Sequence, residues 1–281
     1  MGWFRRRQIV PVLRLQGAIG GGGLRPGLSL ATAAQAIERA FKASKLPAVA
    51  VLINSPGGSP VQSNLIFGRL RALAAEHKKK VYVFCEDVAA SGGYFLAVAG
   101  DEIYADPSSI IGSIGVISAS FGLDRAIARY DIDRRVYTSG ANKGALDPFQ
   151  PEKADDVELI KAIQRDIHDV FIGVVKERRA GKLKGPDSVL FSGAFWSAPK
   201  AMEFGLIDGV ADVRTKMREL FGPKVELAVI PLAKTSLLSR LRGGGAGDAV
   251  AVEFGSSLGA TLPDATLSTL EDRALWARYG L

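Results

Sequence analysis

The stretch that decides the architecture is Val81-Tyr82-Val83-Phe84-Cys85-Glu86-Asp87-Val88-Ala89-Ala90-Ser91-Gly92-Gly93-Tyr94-Phe95. Its opening five residues are apolar and rich in β-branched and aromatic side chains, which predicts a buried strand. An apolar run from Gly93 to Ala99 then reads as a helix. Small residues crowd the junction, so Ser91 sits at a strand-to-helix turn where free backbone N–H groups favour negative charge. That environment suits a nucleophilic serine. The plainer reading is an N-cap, a position that serine favours.

The same alternation extends outward in both directions. Ile9–Leu15 reads as a first strand, followed by the flexible run Gly20-Gly21-Gly22-Gly23. Ser29 caps a helix whose apolar face is Leu30, Ala33, Ala34, Ile37, Ala40 and Phe41. Ala48–Ile53 is a continuous apolar strand ended by Asn54-Ser55-Pro56-Gly57-Gly58-Ser59-Pro60, and a helix follows over Val61–Glu76. Strand–helix repeated three times predicts an α/β fold with a largely parallel sheet. Beyond it, short strands are expected at Glu102–Ala105, Ile114–Ser118 and Arg135–Thr138, with a helix at Leu123–Tyr130. A long amphipathic helix is expected from Pro151 to Arg179, striped by Val157, Ile160, Ile163, Ile167, Val170, Phe171 and Val174. A short helix over Ala198–Phe204 and a strand over Val225–Ile230 close the pattern. The division that follows is a basic arm (1–8), one domain (9–232), and a linker with a C-terminal tail (233–281). The linker is marked by Gly243-Gly244-Gly245-Ala246-Gly247 and the tail ends in a short helix at Leu270–Tyr279.

Composition sets the outer bounds. The 281 residues are 47% hydrophobic and carry a net charge of +7. Basic clusters at Arg5-Arg6-Arg7, at Arg69 and Arg71 and at Lys78-Lys79-Lys80 read as solvated surface. Their functional alternative is peripheral contact with an anionic membrane, with Trp3 and Phe4 at the interface. No nucleic-acid motif, metal-ligand spacing or cofactor signature is present, so no nucleic acid, metal or cofactor is expected. The single cysteine, Cys85, excludes an intrachain disulfide and reads as a core residue. No run of 18 apolar residues and no apolar h-region is visible, which predicts a cytoplasmic protein that at most touches the inner face of the membrane.

A nucleophilic serine needs a base, and the chain has only His77 and His168. His77 lies at the far end of the strand that leads to Ser91, and His168 falls beside the stripe of the long helix, facing solvent. A Ser-His-Asp arrangement is therefore not expected. Lysine is the usual substitute, acting only when uncharged. Lys143 lies in a small-residue loop with few other charges, Ser139-Gly140-Ala141-Asn142-Lys143-Gly144-Ala145-Leu146-Asp147-Pro148-Phe149, where it can be enclosed. A solvated loop lysine is the plainer reading. The turn at Gly57-Gly58 could supply oxyanion donors together with the N–H of Gly92.

Five pieces in order carry a resemblance: Asn54–Gly58, Ala90–Tyr94, Gly112-Ser113-Ile114-Gly115-Val116, Gly140–Lys143 with Pro148-Phe149, and Phe191–Phe195 leading to Gly205-Leu206-Ile207-Asp208. Over roughly residues 8–230 the chain resembles the signal peptide peptidase A family, the SppA/SohB-type serine peptidases. The resemblance implies the ClpP/crotonase fold, a repeated β-β-α superhelix with a largely parallel sheet and peripheral helices. It also implies a Ser91/Lys143 dyad, oxyanion donors at Gly58 and Gly92, and Ser113 orienting Lys143. The implied activity is endopeptidase cleavage of unfolded or membrane-derived, signal-peptide-like peptides by a homo-oligomeric ring. With one copy of the catalytic unit, serine and lysine must both come from that unit. The alternatives are a non-catalytic oligomeric scaffold at a membrane surface and a crotonase-type acyl-CoA enzyme, which would share the oxyanion hole but not need Lys143.

Overall fold

Alternating strands and helices do produce a parallel sheet. The computed structural model describes residues 8–20, 27–232, 270 and 273–281. The basic arm with Trp3 and Phe4, glycines 21–23 and the 243–247 linker lie outside the described residues. The elements are β1 (Ile9–Gln16), α1 (Leu30–Lys42), β2 (Ala48–Ser55), α2 (Pro60–Glu76), β3 (Lys80–Ala90), α3 (Gly92–Ala97), β4 (Glu102–Ala105) and β5 (Ile110–Gly112). They continue as α4 (Asp124–Arg129), α5 (Ala154–Arg178), α6 (Asp187–Leu190), β6 (Phe195–Ser197), α7 (Ala198–Glu203), β7 (Gly209–Val210), α8 (Val213–Phe221) and β8 (Glu226–Ile230).

The sheet runs β6-β5-β3-β2-β1-β8, with β4 pairing the first part of β3 and β7 pairing β4. Every pairing is parallel except β5 with β6. The side-chain period of two sorts the strands onto two cores. Val49, Val51, Ile53, Val81, Val83 and Cys85 pack under α1, α2 and α3. Val10, Val12, Ala48, Ala50, Tyr82 and Phe84 face the opposite way and meet Met217 of α8. Local chemistry places the helix starts. Ser29 and Thr32 form a reciprocal capping box on α1, and α2 begins with Pro60 at its first turn behind the Ser59 cap.

Three differences from the expected elements matter. First, β3 does not end at Cys85 but continues to Ala90. The polar pair Glu86-Asp87 interrupts the apolar run without ending the strand, because the register with β2 slips there: Ile53 faces Cys85, yet Ser55 faces Ala89. Second, the expected strands at 114–118 and 135–138 do not form. The strand is Ile110–Gly112 instead, and residues 130–153 form no regular element. Third, only Phe171 of the α5 stripe is buried; the other buried residue of the helix, Val175, lies outside the stripe. The N-terminal half of that helix and the segment before it project from the body. Phe121 is 83% and Tyr137 91% exposed. No residue from 115 to 170 belongs to a buried core cluster.

The closing element locks the end of α5 to the sheet. Arg179, 1% exposed, donates to the Gly205 carbonyl and to Asp208 Oδ2 at 2.7 Å. Asp208 also accepts from Lys182 Nζ at 2.7 Å and from the Ile103 N–H at 2.8 Å. Burial pushes the Asp208 carboxyl up, but the hydrogen bonds from Arg179 and Lys182 outweigh it and hold the carboxyl below the usual range. The Tyr94 hydroxyl, from α3, donates to the Leu206 carbonyl at 2.8 Å. Thus the helix that follows Ser91 is pinned to the same element.

Candidate active site

Ser91 sits between β3 and α3 with φ 52° and ψ −123°. A non-glycine residue rarely adopts such a backbone, and holding it costs on the order of 1–3 kcal/mol. Surrounding structure enforces the geometry. The Ser91 N–H donates to the Gly112 carbonyl at 2.8 Å, and the Phe95 N–H donates to the Ser91 carbonyl at 3.0 Å. Ser91 occupies the N-cap position of α3, yet its side chain makes no capping hydrogen bond. The hydroxyl therefore does not serve as the capping acceptor, although the residue holds the capping position.

The glycines around Ser91 are required by close approach. A Cβ on Gly57 would lie 2.8 Å from Ser91 Cβ and 2.9 Å from the Gly92 nitrogen. One on Gly92 would lie 2.5 Å from Ser63 Oγ, and one on Gly93 2.3 Å from the Ser55 carbonyl oxygen. Gly58 has φ 137° and rests on Ile19, whose carbonyl oxygen would be 2.1 Å from an added Cβ. The Ser59 N–H goes to that same carbonyl, and the Gly57 N–H goes to Ser55 Oγ. The N–H groups of Gly58 and Gly92 have no protein acceptor among the described residues. Both glycines line one cleft with Ser91. Two free donors beside a hydroxyl are the arrangement an oxyanion requires.

The rest of the cleft is mainly apolar, walled by Pro60, Phe95, Val116, Ile167, Val170 and Phe171. Helix α5 thus contributes the far wall, a role its amphipathic pattern did not disclose. His168, expected to face solvent, is half-buried, and its Nε2 bonds the Ile114 carbonyl at 3.1 Å. It ties α5 to the segment that forms the cleft rim at Gly115 and Val116 and does not reach Ser91. His77 caps the end of α2 and stacks on Phe41, remote from the site as expected. Cys85 is buried, and burial pushes its thiol up to about 12, so it is an inert core residue.

The structure brings Ser91, Gly58 and Gly92 together. Ser113 is adjacent: it is 4% exposed with φ 52°, and it follows Gly112, whose carbonyl accepts from Ser91. Lys143 is not enclosed. Its loop turns on itself, with the Lys143 N–H donating to the Gly140 carbonyl at 3.2 Å. The side chain is exposed and does not line the cleft. No residue from 116 to 150 belongs to a buried core cluster, so nothing in the core draws this loop in.

Comparison with known proteins bears on the family and the fold. The chain is 56% identical over 274 residues to a Brucella abortus protein named Na(+)/H(+) antiporter NhaA, covering 97% of this chain but 37% of that protein. The antiporter name describes a much longer protein, and no helix among the described residues is long and apolar enough to cross a membrane. A putative protease of Synechocystis sp. is 31% identical over 221 residues, covering 75% of this chain and 78% of that one. The chloroplastic serine protease SPPA of Arabidopsis thaliana is 28% identical over 250 residues, covering 84% of this chain and 36% of that one. Among solved structures, the 1510-N membrane-bound stomatin-specific protease, as a serine-to-alanine mutant, superposes with TM-score 0.51 at 16% identity over 80% of this chain and 98% of that one. That likeness shows the shared α/β fold. The family model for peptidase family S49 matches residues 74–223, which include the whole of β3, Ser91 and the Arg179–Asp208 lock. The chain belongs to peptidase family S49, the family of the signal peptide peptidase A proteins.

Proposed function

We propose that the chain is a serine endopeptidase in which Ser91 is the nucleophile. The observation that carries this reading is the Ser91 turn itself, a strained serine that makes no capping hydrogen bond and shares an apolar cleft with Gly58 and Gly92, whose N–H groups have no protein acceptor among the described residues. The hydroxyl attacks the scissile carbonyl, and the two N–H groups hold the resulting oxyanion. Lys143 is the general base: it takes the Ser91 proton and later returns one to the leaving amine, with Ser113 orienting it. An apolar cleft suits the side chains of unfolded or membrane-derived peptides.

Lys143 must then come to the cleft by assembly. The segment that carries it exposes Ile117, Phe121, Tyr130, Ile132 and Tyr137. Apolar exposure on this scale is typical of a surface that a partner covers. We therefore propose a homo-oligomer in which burial of this segment fixes Lys143 against Ser91. The non-catalytic scaffold reading needs the same surface but no reactive serine. Cleavage of a denatured protein by the parent, Ser91→Ala and Lys143→Ala chains separates them. Loss in both variants, with size and fold retained, supports the dyad. Full activity in Lys143→Ala removes lysine from the mechanism, and full activity in Ser91→Ala removes the nucleophile.

A further inference from the structure

The slip between β2 and β3 lies one turn of chain ahead of the nucleophile. Between the pairs Ile53–Cys85 and Ser55–Ala89, a single residue of β2, Asn54, faces three residues of β3, namely Glu86, Asp87 and Val88. The extra pair on β3 preserves its alternation, so Ala89 points to the same core as Cys85. At this point β3 also changes partner, from β4 up to Cys85 to β5 from Val88 onward. Ala90 then pairs with Gly112, whose carbonyl holds the Ser91 N–H.

Asn54 spans this bulge. It is 4% exposed. Its Nδ2 donates to Asp87 Oδ2 at 2.5 Å, and its Oδ1 accepts from the Val88 N–H at 3.3 Å. One amide therefore clamps both the side chain and the backbone of the displaced segment. Its own backbone carbonyl accepts from Gly17, so the clamp is anchored to β1 as well. From Asn54 the chain runs through Ser55 and Pro56 to Gly57 and Gly58. The two segments that must meet at the site, the oxyanion turn and the nucleophile turn, thus part company at the bulge, pair again at Ser55 and Ala89, and come together at Gly57 and Ser91. The length and shape of the bulge decide how they meet. Neither Asn54 nor Asp87 lines the Ser91 cleft.

We propose that Asn54 and Asp87 are positioning residues, which set the Ser91 hydroxyl against the Gly58 N–H by fixing the β3 bulge. This inference rests on the reading of Ser91 as nucleophile. Its test is steady-state cleavage of an apolar fluorogenic peptide by the full chain as N54D, as D87A and as the exchange N54D/D87N, with thermal unfolding measured in parallel. In N54D two carboxylates oppose each other and the donor is lost. In the exchange, the carboxylate placed at position 54 accepts from both the Val88 N–H and the amide placed at position 87, which restores a bonded pair with donor and acceptor reversed. N54D should lose about 10²-fold in kcat with little change in KM, the cost of a misplacement of about 1 Å at a reacting group. D87A, altered at an exposed side chain, should fall in the same direction without unfolding. The exchange should regain kcat to within about threefold of the parent. Two results overturn the inference: kcat retained in N54D and D87A, or an exchange that recovers thermal stability but not kcat. Ser91→Ala runs alongside. If it is inert while N54D and D87A keep their kcat, the positioning inference alone fails. If it cleaves like the parent, the nucleophile reading fails first.

Discussion

Replacing Ser91 by glycine should kill activity and stabilise the protein relative to Ser91→Ala. Both variants lose the hydroxyl, so they differ only in one methyl group and in backbone freedom. At φ 52° and ψ −123° an alanine keeps the conformational cost that serine bears, which we take as about 2 kcal/mol. Glycine adopts this region freely. Against that gain, glycine adds about 0.4–1 kcal/mol of unfolded-state entropy. It also forfeits the contact of the β-carbon with Gly57, worth about 0.6 kcal/mol at a largely buried site. The balance favours glycine by up to about 1 kcal/mol, a rise of up to about 2–4 °C in Tm over Ser91→Ala for a domain of this size. Chemical unfolding of the two variants, monitored by far-ultraviolet circular dichroism, reads this directly. If Ser91→Gly unfolds at or below the midpoint of Ser91→Ala, Ser91 is not held under strain, and the picture of a turn forced into place by its glycine neighbours is refuted.

Further predictions follow from other parts of the frame. Gly93→Ala puts a methyl 2.3 Å from the Ser55 carbonyl oxygen and should cost about 1–3 kcal/mol of stability, together with activity, because α3 must shift. Arg179→Met leaves Asp208 short of its buried partner and should lower Tm by about 10 °C at neutral pH. Because the folded state holds the Asp208 carboxyl below its usual range, that group stabilises fully above the unfolded value near 3.9 and loses its effect as the pH falls through the lower folded value. The gap in stability between parent and Arg179→Met should therefore narrow as the pH falls from about 4, which acid unfolding will show. Phe121→Asp, at a site 83% exposed in one chain, should leave the monomer folded but reduce both oligomer size in sedimentation and peptidase activity; an unchanged oligomer would remove this segment from the interface.

Much of this protein is readable before any coordinates. The apolar runs at Ile9–Leu15, Ala48–Ile53 and Val81–Cys85 declare buried parallel strands, because a strand covered on both faces has no polar positions to spare. Gly57, Gly92 and Gly93 mark a place where backbone segments crowd together, and the distance of His77 from Ser91 follows from strand direction alone. Residues 130–138 and the stripe of α5 were misleading for one reason. Their apolar side chains predict burial, but pattern cannot say whether the burying surface belongs to the same chain. What only the tertiary structure decided was relative placement. The bulge at Glu86-Asp87 looks like the end of a strand, since two adjacent charged residues break the apolar run. Pairing with two different neighbours carries the strand onward, and Asn54 bridges the slip. Ser91 was identifiable as a serine at a strand-to-helix turn. Its left-handed backbone, its uncapped hydroxyl and its contact with Gly57 depend on segments distant in sequence, and no local pattern encodes them.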